Sequence, residues 1–106
     1  MANPWAGEVT LVIDDEPHVM KLTLGALAEL ETELASETLV DLIERFEREV
    51  VSTRDVLALI VAGLRGGGWR GDKSALLSAD IEGGPVAAAK AAGQLLARAF
   101  SLPDEA

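Results

Sequence analysis

The chain has 106 residues, enough for one compact domain, and nearly half of them are apolar, although aromatics are few. Its formal charge of −9 argues against binding the phosphate backbone of DNA or RNA and against an anionic membrane surface, because both need Lys and Arg. It has no cysteine, which excludes disulfides, zinc–thiolate sites and thiol catalysis.

Glu8–Ile13 alternates and is β-branched, so Val9, Leu11 and Ile13 share one face of a strand. Asp14-Asp15-Glu16-Pro17 reads as a turn. Alternation resumes from His18 to Leu24, with Met20, Leu22 and Leu24 on one side. The result is an N-terminal β-hairpin, which needs helices to cover its apolar face. The opening Met1–Trp5 has neither a basic region nor an apolar core of the kind that directs secretion, and no apolar run approaches the ~20 residues of a membrane span. A cytosolic chain is therefore expected, with flexible arms at 1–6 and 102–106 around a single domain at 7–101.

From Leu24 the apolar period lengthens to that of a helix. Leu27, Leu30 and Leu34 mark a helix over about 24–35, with Thr23 as N-cap and Glu29, Glu31 and Glu33 outward. Thr38 and Asp41 have capping-box spacing and open a second helix carrying Leu39, Leu42, Ile43 and Phe46. Ser52 and Asp55 repeat the signature before Val56, Leu57, Ile60, Val61 and Leu64. Gly66-Gly67-Gly68 then stands where a helix ends, with Arg65 in the last turn, where a cation is favoured. Ser74–Ala79 forms a short helix with Leu76 and Leu77. Gly83-Gly84-Pro85 breaks it and starts an alanine-rich helix over about 85–101, anchored by Val86, Leu95, Leu96 and Phe100. The fold class is α+β, mostly α: one hairpin packed on four to five helices.

Gly66–Ser74, GGGWRGDKS, approaches the phosphate-loop pattern G-x-x-x-x-G-K-[ST]. Asp72 interrupts it, a helix rather than a strand precedes it, and no parallel βαβ pattern surrounds it. The glycines read better as a helix end and a loop. Arg70-Gly71-Asp72 matches an adhesion tripeptide by chance. Trp69 either folds back onto the core or meets a partner, and Trp5 raises the same choice. His18, the single histidine, lies beside Asp14, Asp15 and Glu16 but reads as part of a solvated acidic turn. No catalytic triad, metal site or cofactor is indicated, and the carboxylates around Glu29–Glu49 read as a solvated face or a docking surface for a basic partner.

Leu22–Glu31 (LTLGALAELE) and Gly63–Gly68 (GLRGGG) resemble the tail protein family of gene transfer agents and tailed phages, described as a tail tube or tail assembly chaperone component. Gly7-Glu8-Val9, Arg45-Phe46, Asp55, Gly83-Gly84 and Leu95–Phe100 are similar to it in order and spacing, over about 7–100. Relatives often carry glycine in the hairpin turn and between the second and third helices. This chain has Asp14-Asp15-Glu16-Pro17 and Glu47–Val51 there. The resemblance implies a non-enzymatic tail assembly protein, a chaperone for the tape-measure or tail tube protein, in the host cytoplasm or on the particle. Candidate partner contacts are Trp69 with Arg65 and Arg70 as a clasp, and the row Ala88, Ala91, Ala92, with the hairpin edge free to add a strand. A structural tube subunit forming homo-oligomers is the first alternative, and a small acidic adaptor the second.

Overall fold

Val9–Ile13 (β1) and Glu16–Met20 (β2) pair antiparallel, Ile13 opposite Glu16 and Val9 opposite Met20. The computed structural model describes residues 7–34 and 37–100, so the arms expected at 1–6 and 102–106 lie outside the described residues. The hairpin turn is shorter than expected: only Asp14 and Asp15 lie between the strands, with φ of 52° and 68°. A two-residue turn of this hand needs positive φ at both positions. Glu16 and Pro17 therefore belong to β2. Ile13 and Glu16 close the turn, so Val12 and Pro17 fall on a pair that exchanges no ladder bonds, and the missing proline N–H costs the sheet nothing. β2 stops at Met20 rather than reaching Leu24, which is 86% exposed at the start of the first helix.

Five helices follow among the described residues: α1 (Leu24–Leu34), α2 (Leu39–Glu47), α3 (Thr53–Gly66), α4 (Lys73–Leu77) and α5 (Gly84–Ala99). Their starts obey the signals in the sequence. The Thr23 hydroxyl accepts from Ala26 N at 3.1 Å. Thr38–Asp41 and Ser52–Asp55 both form reciprocal capping boxes. Asp72 caps α4 through Ala75 N at 3.2 Å, so that helix begins one residue earlier than expected.

α3 is the central element, touched by α1, α4, α5 and β2. That enclosure explains why its buried residues are Leu59, Ile60, Ala62, Gly63 and Leu64, while Val56, Leu57 and Val61 of the expected stripe are only half-buried. Met20, Leu30, Leu42, Leu59, Leu64 and Leu95 are fully buried, each contributing about 2 kcal/mol of transfer free energy.

Small residues set the close approach of α3 to its neighbours. A Cβ on Gly63 would stand 2.6 Å from Leu95 Cδ1 and 3.1 Å from Met20 Cβ, while the Gly63 carbonyl accepts from Lys21 N at 2.9 Å. A Cβ on Gly66 would collide with the Lys21 carbonyl, and one on Gly67 with the Val19 carbonyl. The glycine run is thus a seat for β2, with Gly66 still helical and Gly67 at φ −89°. Only Gly68, at φ +104°, uses the freedom of glycine to turn the chain.

On α5 the expected anchors are half wrong. Leu95 and Leu96 are buried, but Val86 is 76% and Phe100 45% exposed. Ala88, Ala91, Ala92 and Leu95 recur at i, i+3, i+4 and i+7 and form the stripe that meets the core, and Val86 lies on the opposite face. Helical phase, rather than side-chain size, decides which residues α5 buries.

Candidate functional site

A large concave surface lies where the N-terminal half of α3, α4 and the start of α5 converge. This groove has a volume of about 580 Å³, with Val56, Ile60 and Leu76 among its walls and Leu77 and Val86 on its rims. Leu77 is 68% exposed and Val86 76%. Asp80 is the one charged residue lining it. Exposed apolar side chains around an apolar trough are the usual surface of a protein-docking site. Sequence reasoning missed it because Leu77 and Val86 read as core. The missed signal was phase: each lies off the buried stripe of its helix.

Of the expected clasp residues, Arg65 lines a smaller cleft between α1 and α3. Trp69 is half-buried and packs against the core, the first of its two readings. Its ring lies over Gly71, and its backbone N donates to the Leu64 carbonyl at 2.9 Å. Arg65 Nε pairs with Glu29 Oε1 at 2.9 Å, and its Nη1 donates to the Gly71 carbonyl at 3.2 Å. One guanidinium thereby ties the loop to α1. Lys73 Nζ stands 3.8 Å from Glu33 Oε1 across the same cleft. Arg70 is exposed nearby.

Ala88, Ala91 and Ala92 do not join that surface. They are buried against the chain's own core, with Ala88 also reaching the floor of the α3–α4–α5 groove. The hairpin edges are largely closed as well. Pro17 and the α3 glycines cover β2. At β1, Glu82 N donates to the Val12 carbonyl at 3.0 Å, Asp14 N donates to the Asp80 carbonyl at 2.7 Å, and Ile13 bridges Ile81. Thr10 is what remains of an open edge.

Arg45 is the centre of an ordered polar network. Arg45 donates from Nε to Asp55 Oδ2 at 2.9 Å and from Nη2 to Oδ1 at 2.8 Å, and Glu37 Oε1 lies 3.1 Å from Nη1. Burial pushes the Asp55 carboxyl up. Hydrogen bonds from Arg45 and Ser52 and the guanidinium charge outweigh that and hold it below the usual carboxylate range. Hydrogen bonding to Asp55 raises Arg45 in turn. Both residues were visible in the sequence, Asp55 as a cap, but their pairing across ten positions was not.

The phosphate-loop reading of Gly66–Ser74 fails on geometry: α3 precedes the glycines, two of them pack on β2, and Asp72 caps α4. Among the described residues no three of His, Asp and Glu gather closely enough to hold a metal ion. No helix among them is long and apolar enough to cross a membrane.

A hairpin packed on helices agrees with the α+β, mostly α fold class read from the sequence. No curated protein and no solved structure matches the chain. A family model described as "Phage tail tube protein, GTA-gp10" matches residues 6–102, nearly its whole length. The chain therefore belongs to this family of phage and gene transfer agent tail proteins.

Proposed function

We propose that the chain acts in tail assembly as a non-enzymatic helper that holds an apolar helical segment of another tail protein, the tape-measure or the tail tube protein. The observation that supports this is the groove between α3, α4 and α5, with Leu77 and Val86 exposed on its rims. An amphipathic helix docks by laying its apolar face into such a trough. The net charge of −9 keeps the helper soluble while that surface is open. Trp69 and Arg70, at the end of the α3 loop, supply a second contact of the same assembly.

The test places a photo-crosslinking residue at Leu77 or, as a control, at Glu31 on α1, which is exposed. Crosslinks from Leu77 to the tape-measure or tube protein, with none from Glu31, would support the reading. Equal crosslinking from both positions would remove the groove from it.

The family's description favours a second reading, in which the chain is itself a component of the tail tube. A tube component self-assembles into rings, so purified protein viewed by electron microscopy separates the two readings. Stacked rings support the tube reading, and a monomer or dimer supports the helper.

A further inference from the structure

α2 is attached differently from its neighbours. Among the described elements, α1, α4 and α5 all approach α3 closely along their backbones, and α5 also approaches β1, whereas α2 comes as close to none of them. It is held mainly by side chains. Leu42 is fully buried, while Leu39, Ile43 and Phe46 are only half-buried against the core. Between Ile43 and Phe46 on one side and Gly93, Leu96 and Phe100 of α5 on the other lies an open cleft of about 350 Å³. Gly93 leaves that contact loose: even an added Cβ would stand 3.7 Å from the Phe46 ring.

The polar attachment of α2 to α3 is concentrated in one side chain. Arg45 makes both bonds to Asp55 and reaches Glu37 as well. Behind α2, Glu49 sits at φ +59°, a conformation costly for a residue with a side chain, which places stored strain in the connection to α3.

We propose that α2 is a flap, latched by Arg45 on Asp55, that opens as a unit while the hairpin, α1, α3 and α5 remain packed. Helix α2 carries its apolar residues on one face, so lifting it uncovers the α5 row Gly93, Leu96 and Phe100, a surface separate from the α3–α4–α5 groove. Elements with few close contacts open at lower free energy than the core they rest on. The inference stands independently of which tail protein the groove holds.

The absence of native cysteine makes the test direct. Leu42→Cys places one thiol under α2, and Leu95→Cys places one under α5. Both positions are fully buried, so each thiol is labelled only through opening. The expected result is labelling of the first at least about tenfold faster than the second, with Arg45→Lys accelerating the first. Hydrogen exchange of the unsubstituted chain makes the same comparison without a core substitution, with α2 amides less protected than those of α3 and α5. Equal labelling rates, no acceleration of the first thiol by Arg45→Lys, or α2 exchanging in step with α3 and α5 would overturn the proposal.

Discussion

Arg45 and Asp55 meet through two hydrogen bonds, of 2.9 and 2.8 Å, across the α2–α3 junction, and Asp55 is only 8% exposed. The same carboxylate accepts from Ser52 N at 3.2 Å, so it closes the capping box of α3 while it holds α2. A charge in that position is tolerable only while the partner stays. Arg45→Ala should therefore destabilise the chain by about 3 kcal/mol, read from urea unfolding, because it leaves Asp55 buried and unpaired. Lys73→Ala, which removes a 3.8 Å contact between exposed groups, should produce no measurable change.

Asp55 also predicts an acid-sensitive component of stability. Its folded carboxyl titrates below the unfolded value of about 3.9, so the stabilisation is complete at neutral pH. It is lost as the pH falls below that unfolded value and through the folded one. The advantage of the wild-type chain over Asp55→Asn in urea melts should stay level from about pH 7 to pH 5 and shrink below about pH 4. An advantage unchanged at low pH would mean that the carboxylate's charge is irrelevant.

The adjacent glycines should respond very differently to the same substitution. Gly67→Ala drives a methyl into the Val19 carbonyl and should cost about 3 kcal/mol. Gly68→Ala meets open space and pays only for positive φ, about 1 kcal/mol. Thermal melts of the two variants compare them directly, and equal losses would contradict the seat for β2.

Positive φ also appears at residues other than glycine. Asp14, Asp15 and Glu49 all adopt it. Asp14 has a compensating bond, accepting from Asp80 N at 2.9 Å. Glu49→Gly should raise stability by about 1 kcal/mol in urea unfolding, by relieving left-handed strain. A loss of stability would show that the Glu49 side chain makes an offsetting contribution.

Much of this architecture was legible in the sequence because it is locally encoded. Thr23, Thr38 and Ser52 mark helix starts through bonds spanning three residues, and alternation marked β1. What escaped depends on distant partners. The seating of Gly66 and Gly67 under Lys21 and Val19, the Arg45–Asp55 pair, and the inward turn of Ala88, Ala91 and Ala92 arise only once α3 is surrounded. The groove was hidden for the same reason. Leu76 and Leu77 are chemically alike and adjacent, yet packing on α3 buries one and exposes the other.

Leu77→Glu with Val86→Glu separates docking from folding. Both side chains project into solvent, so the paired change should alter stability by less than about 0.5 kcal/mol per site while abolishing partner capture. Loss of fold in far-UV circular dichroism would place these residues in the core instead.

The most direct measurement is affinity capture of the tagged chain from particle-producing cells, alongside the Leu77→Glu, Val86→Glu variant, with mature particles assayed in parallel. The expected result is recovery of the tape-measure or tube protein with the wild-type chain, its loss with the variant, and absence of the chain from mature particles. Stoichiometric incorporation of both chains into mature particles would contradict the helper reading and make the protein a part of the tube.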